Sequence, residues 1–115
     1  MVYIEKDNIK EWLSILKESS KVSKNKKLLD EIVDILEVSS RKRKAVNLYK
    51  INKLTKENDN VIIPRKLLST GKLDHKVNIS ALEYSDKAIK ILKDSGCNII
   101  DIKDMINKNS IHLII

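Results

Sequence analysis

The sequence has few of the residues that cross-link a fold, bind a metal or cradle a phosphate. Its 115 residues include one cysteine, one proline and two glycines. Because Cys97 has no second cysteine to pair with, an internal disulfide is excluded, and no Cys-x-x-Cys or His/Cys cluster offers ligands for structural zinc. Two glycines cannot build a glycine-rich phosphate loop. We therefore expect a reducing, cytoplasmic compartment and neither a metal nor another cofactor.

Long hydrophobic runs are absent as well. Lysine or aspartate interrupts every apolar run well before the roughly 20 residues that a membrane-spanning helix needs. The amino-terminal stretch contains Glu5 and Asp7 and no apolar region typical of a signal peptide. With 42% hydrophobic and 34% charged residues, the chain has enough apolar surface to offset its conformational entropy. We expect one soluble folded domain over residues 1–115 that does not bind a membrane.

Candidate catalytic residues are equally scarce. His75 is predicted to lie in a surface turn, His112 at a solvent-facing strand position, and Cys97 at a small buried hydrophobic position. Asp74 is the one carboxylate next to a histidine, but adjacent side chains seldom face one another. The sequence predicts no enzyme and no small-molecule substrate.

Positive charge, in contrast, is concentrated. Lysine and arginine number 23 against 16 acids, a net charge of +7. Residues 38–56, here called the basic segment, hold seven bases and no acid, whereas the other 96 residues hold 16 of each sign. A second acid-free stretch, residues 60–73, adds three bases, and all three arginines of the chain lie in these two stretches. Arginine pairs phosphate oxygens through its planar fork, so the pattern favours a nucleic-acid partner over a generic solvated face.

Aromatic residues, which stack on bases in single-strand readers, are limited to Tyr3, Trp12, Tyr49 and Tyr84. Trp12 and Tyr84 are predicted to pack in the core, and only Tyr49 lies in the basic segment. This composition favours contact with the phosphate backbone of folded or duplex nucleic acid, which is recognised by shape.

Hydrophobic periodicity predicts an α/β fold whose first part, residues 1–40, is mainly helical and whose residues 41–115 form an α/β core of short strands. Helices are predicted at residues 8–19 with an Asn8–Glu11 capping box, from residue 28 to Ser39-Ser40, from Leu48 to Lys56, at 85–95 and at 102–107. Strands are predicted at 61–63 ended by Pro64, at 76–81 with one buried side, at 99–100 and at 111–115. In the third helix, Leu48, Ile51 and Leu54 are expected to dock. Gly71 is predicted to mark a turn and Gly96 a helix stop.

The basic segment resembles a known family. Its run Ser39-Ser40-Arg41-Lys42-Arg43-Lys44-Ala45-Val46-Asn47-Leu48-Tyr49-Lys50-Ile51-Asn52 looks like the arginine-rich approach to Val-Asn-Leu-x-Lys-Ile in the large-subunit ribosomal protein eighteen family of archaea and eukaryotes. Downstream, Val61-Ile62-Ile63-Pro64-x-Lys66-Leu67-Leu68 and the residues to Gly96 resemble the core shared with bacterial large-subunit protein fifteen. Arg65 stands where the family usually has glycine, a departure that disfavours a close backbone approach there and allows a direct phosphate contact. Shortness and the lack of a glycine-rich basic extension favour the archaeal branch.

The resemblance implies a structural constituent of the large ribosomal subunit, bound to ribosomal RNA and neighbouring ribosomal proteins, with an irregular (ββα)-repeat core. Charge and resemblance together predict RNA contacts at Arg41, Lys42, Arg43, Lys44, Asn47, Lys50 and Lys53, and in a second zone at Arg65, Lys66, Lys72 and Lys76. Asn47 is equally suited to cap a helix. The alternative is a basic regulator or chromatin-type protein that binds duplex DNA through the helix from Leu48 to Lys56.

Overall fold

The computed structural model describes residues 2–3, 6–19, 24–37 and 42–115. The elements in chain order are β1 (Val2–Tyr3), α1 (Lys6–Ser19), α2 (Lys26–Leu36), β2 (Lys42–Arg43), β3 (Ala45–Asn47), α3 (Leu48–Leu54), β4 (Asn60–Leu68), β5 (Asn78–Tyr84), α4 (Asp86–Asp94), β6 (Asn98–Ile99), α5 (Ile102–Met105) and β7 (Ile111–Leu113).

Five strands form one sheet in which every pairing is parallel, in the order β3-β4-β5-β6 with β7 also paired to β4. Because β5 occupies one edge of β4 along its length, β7 and β3 share the other edge, opposite Asn60–Ile62 and Lys66–Leu68 respectively. Strands β1 and β2 form a separate antiparallel pair. The α/β class is confirmed, and the repeated ββα unit is not.

Two hydrophobic cores cover the two faces of the sheet. Val61 and Ile63 of β4 join the first core with side chains of α3 and α4, whereas Ile62 between them joins the second core with side chains of α1, α2 and α5. Successive side chains of a strand point to opposite faces, so the sheet is covered on both sides. The prediction of one buried side for β5 is therefore wrong, and Ser80 is only 2% exposed.

The strand predicted to end at Pro64 continues to Leu68. Its register with β5 shifts between Ile63 and Lys66. At such an irregularity the missing N–H of a proline costs no ladder hydrogen bond, which explains how Pro64 is tolerated inside a paired strand. At nine residues, β4 is also longer than the short strands predicted.

The predicted helices are present, but α3 ends at Leu54 and α5 at Met105, each two residues before its predicted end. Asn8 lies inside α1, so the predicted capping box does not form, and Ser39-Ser40 lies outside the described residues. In α3, Leu48 and Ile51 are fully buried but Leu54 is 52% exposed. Three residues advance about 300° around a helix, so a three-residue repeat drifts away from the docked face within two steps.

The cap and stop residues of α4 and the core aromatic residues agree with the predictions from the sequence. The Ser85 side chain accepts a hydrogen bond from the Ala88 amide at 3.2 Å and caps α4, and Gly96 follows α4 with a φ of +76°. Trp12 is buried in the second core, and Tyr84 packs against the first. Cys97 also packs against the first core, but it is half-buried where the sequence predicted a buried position.

Candidate nucleic-acid interface

The two acid-free stretches of the sequence lie side by side in the fold. Strand β3 comes from the basic segment and β4 from the second stretch, and they pair in parallel with Ala45 opposite Lys66 and Asn47 opposite Leu68. The sheet therefore joins the two zones that the sequence predicted as separate contact regions.

The loop of residues 69–76 lies along α3 and is attached to it and its carboxyl end at three points. The Tyr49 amide donates to the Thr70 carbonyl at 3.1 Å, and the Asp74 amide donates to Asn52 Oδ1 at 3.0 Å. Thr55 Oγ1 lies 2.7 Å from His75 Nε2. We call residues 44–56 together with residues 69–76 the basic face. It contains six lysines and one acid, Asp74, a net charge of +5.

Gly71 allows this loop to pass close to Tyr49 in the first turn of α3. Its φ is +100°, and a Cβ at this position would lie 2.5 Å from Tyr49 Cβ and 2.7 Å from the Tyr49 nitrogen. Real side chains do not approach this closely, so the turn predicted at Gly71 needs glycine for both its conformation and its packing.

Four predicted contact residues, Lys44, Lys53, Lys72 and Lys76, have exposed side chains on the basic face. None of them forms an ion pair with another residue in the described part of the chain. Unpaired exposed ammonium groups on a tethered helix and loop are suited to neutralise phosphates without first breaking an internal ion pair.

Two other predicted contacts are already engaged within the fold. Lys66 Nζ lies 3.9 Å from Glu83 Oε1 on the neighbouring strand, and the two side chains are only 28% and 15% exposed. Lys50 Nζ donates to the Ile115 backbone oxygen at 2.5 Å. The structure therefore brings Lys50 and Lys66 near the basic face, but each has an intramolecular partner that the sequence did not reveal.

The remaining predicted contacts are placed less directly. Arg41 lies outside the described residues, and only the backbones of Lys42 and Arg43, in β2, are described. Arg65 is half-buried within β4. Asn47 occupies the N-cap position of α3, but its side chain makes no capping hydrogen bond and its Oδ1 is buried without a hydrogen-bond partner.

His75 is the clearest error among the predicted surface residues. Its side chain is 15% exposed, and its Nδ1 lies 3.0 Å from Asp74 Oδ1, so these adjacent residues do face one another. Thr55, which contacts the other ring nitrogen, also donates its hydroxyl hydrogen to the Ile51 carbonyl. Because Thr55 lies twenty residues earlier in the chain, no local pattern could have revealed this contact. His112 is exposed as predicted and lies 3.3 Å from Asp59 Oδ2.

This cluster predicts a measurable pH dependence. The hydrogen bond from His75 lowers the pKa of Asp74 below its ordinary value of 3.8. A lowered folded-state pKa gives stability that is present above pH 3.8 and is lost as the pH falls through the folded pKa. Urea unfolding at about pH 6 and about pH 3 should therefore show a larger loss of unfolding free energy for the natural chain than for Asp74→Asn. Equal losses in the two proteins would contradict this linkage.

Within residues 2–3, 6–19, 24–37 and 42–115, no group of three or more His, Cys, Asp or Glu side chains is arranged to hold a metal ion. Every described helix is too short or too polar to cross a lipid bilayer.

Comparison with known proteins places the chain in a family. No model of a protein family matches it. The large ribosomal subunit protein eL18 of Sulfurisphaera tokodaii is 43% identical over 82 residues, which are 70% of each chain. The protein of the same name from Sulfolobus acidocaldarius is 44% identical over 66 residues, 56% of each chain, and that from Thermoplasma volcanium is 32% identical over 83 residues, 72% of this chain and 68% of the relative. The archaeal relatives confirm the resemblance found in the sequence. The chain belongs to the eL18 family of large ribosomal subunit proteins.

Proposed function

We propose that the chain is a structural component of an archaeal large ribosomal subunit, where it binds ribosomal RNA through its basic face and packs against neighbouring ribosomal proteins. It acts in the cytoplasm as part of the ribosome and catalyses no reaction. The observation that carries the proposal is the net charge of +5 on a helix and loop that hydrogen bonds and a glycine contact hold together.

The basic face has the properties that binding to a folded RNA requires. Its exposed lysines have no competing ion pairs among the described residues, and its backbone is fixed by the loop contacts along α3. Phosphate contacts of this kind position a protein on a nucleic acid and need no base readout. The adjoining Arg41, Lys42 and Arg43 and the neighbouring Arg65 extend the same interface in the proposed complex.

Sedimentation tests the proposed assembly directly. A lysate containing the chain is fractionated on a density gradient at low salt, and the chain is expected to migrate with large ribosomal subunits. A chain that stays at the top of the gradient would contradict the proposal.

A competition assay separates RNA binding from the DNA-binding alternative. Unlabelled structured ribosomal RNA should displace labelled ribosomal RNA from the chain more effectively than random duplex DNA does. Equal displacement by the two competitors would favour the DNA-binding alternative.

The role of individual lysines gives a sharper prediction. The triple variant Lys53→Gln, Lys72→Gln and Lys76→Gln should bind transcribed large-subunit RNA more weakly. Its plot of log affinity against log salt should be shallower by about 0.9 for each lysine that contacts a phosphate in a duplex region. The measurement is a filter-binding titration at several salt concentrations.

The matched control removes three exposed lysines of α4, in the variant Lys87→Gln, Lys90→Gln and Lys93→Gln. Both variants lose the same charge, so a general effect of net charge would weaken RNA binding equally in the two. A basic-face variant that keeps the natural salt slope would remove these three lysines from the interface.

A further inference from the structure

A groove runs between α1, the carboxyl end of β5 and residues 99–103. Two cavities, of about 340 and 280 Å³, adjoin in it and share Ile15 and Lys103 as lining residues. In the larger cavity, Trp12 of α1 and Tyr84 of β5 contribute aromatic surface. We call this feature the acid-rimmed groove, after the residues described below.

One wall of the groove is the open edge of the sheet at β6. The Asn98 amide donates to the Val77 carbonyl at 3.1 Å and the Ile100 amide to the Ile79 carbonyl at 2.8 Å. Alternate residues of a parallel strand bond to opposite sides, so the N–H and C=O of Ile99 face away from β5. Among the described strands, β6 pairs with β5 alone, and the Ile99 side chain is 40% exposed. An open edge with an exposed apolar side chain is the geometry onto which an extended peptide docks.

The charge on the groove is opposite to that of the chain as a whole. Three carboxylates, Glu11, Glu18 and Asp101, and one lysine, Lys103, line the two cavities, in a protein whose net charge is +7. In the part of the chain that the structure describes, none of the three carboxylates makes an ion pair. A polyanion such as RNA would be repelled from this surface, whereas a cationic segment would be attracted.

We propose that the acid-rimmed groove binds an extended, arginine-bearing segment of a neighbouring protein. One arginine occupies the larger cavity, its methylene groups against Trp12 and its guanidinium between the carboxylates of Glu11 and Asp101. The planar guanidinium both stacks on aromatic rings and forms charge-assisted hydrogen bonds with carboxylates, which a lysine cannot do in the same way. The identity of the partner as another ribosomal protein rests on the proposed function, but the groove and its charge do not.

The chain carries its own reporter, because Trp12 is its single tryptophan and lines the cavity. Titrating the RNA-free protein with a synthetic peptide of alternating arginine and threonine should give a saturable change in tryptophan emission. The variant Glu11→Gln with Asp101→Asn should raise the Kd about tenfold, since hydrogen bonds to charged partners contribute this much. The Lys103→Gln variant should lower the Kd, because it removes the one cation of the rim.

The matched control neutralises two exposed acids outside the groove, Glu57→Gln with Asp94→Asn, and should keep the natural Kd. The proposal is overturned if emission does not change, if the groove and control variants bind the peptide equally, or if a peptide of alternating aspartate and threonine binds as well. These outcomes are independent of the gradient experiment, so this proposal and RNA binding fail separately.

Discussion

Replacing Gly71 by alanine is expected to lower the free energy of unfolding by about 3 kcal/mol, the sum of a left-handed backbone cost and a steric clash. The new Cβ would meet Tyr49 Cβ at 2.5 Å, the Tyr49 nitrogen at 2.7 Å and Tyr49 Cα at 2.9 Å. Two of these three atoms are backbone, so no side-chain rotation relieves the contact. Either the loop separates from α3 or the helix shifts within the first core, and urea unfolding measures the cost.

The second glycine of the chain provides the control. Gly96 also has a positive φ, of +76°, but the nearest atom to an added Cβ is Cε of Lys76, at 3.0 Å. A flexible lysine end can move aside, so Gly96→Ala should cost only the backbone strain, about 1 kcal/mol. Equal losses for the two substitutions would show that conformation alone, and not the contact with Tyr49, requires glycine at Gly71.

Features that depend on residues close together in the chain were predictable from the sequence. Ser85 caps α4 and Gly96 follows its end, since each acts through a hydrogen bond or a backbone angle a few residues away. The apolar stripe around Trp12 and Leu16 likewise marked α1 because helical spacing brings neighbouring turns onto one face. The segment that carries the excess positive charge was also predictable, because it is defined by the sequence and not by tertiary structure.

Features that depend on distant residues were not predictable. The burial of Ser80 follows from helices that pack on the second face of the sheet, and the position of Pro64 inside β4 follows from a register shift against β5. The contact between His75 and Thr55 depends on how the loop returns along α3. No local pattern records any of these three arrangements.

The same limit applies to individual members of the candidate interface. Lys53 and Lys66 cannot be distinguished in the sequence, because each is a base in an acid-free stretch. The fold distinguishes them, because Lys53 is exposed on α3 whereas Lys66 of β4 lies 3.9 Å from Glu83 of the adjacent strand β5. It also assembles the acid-rimmed groove from residues as distant as Glu11 and Asp101, whose charges are unremarkable within their own segments. Charge patterning therefore predicts a candidate interface, and tertiary structure decides which of its lysines are exposed and which have an intramolecular partner.

Ile62→Ala is expected to lower the free energy of unfolding by about 3–4 kcal/mol, as truncation of a buried isoleucine leaves a cavity. Ile62 is fully buried, and it lies in the middle of the sheet on the side of the second core, between residues that belong to the first. Helices α1, α2 and α5 pack over this face, so the surroundings can collapse only if the sheet and several helices move together. Leu54→Ala is the matched control, because its side chain is 52% exposed and its loss should cost less than about 0.5 kcal/mol. Chemical denaturation measures both changes in unfolding free energy. If Leu54→Ala lost more unfolding free energy than Ile62→Ala, Leu54 would belong to the docked face of α3 and Ile62 would not be a central core residue.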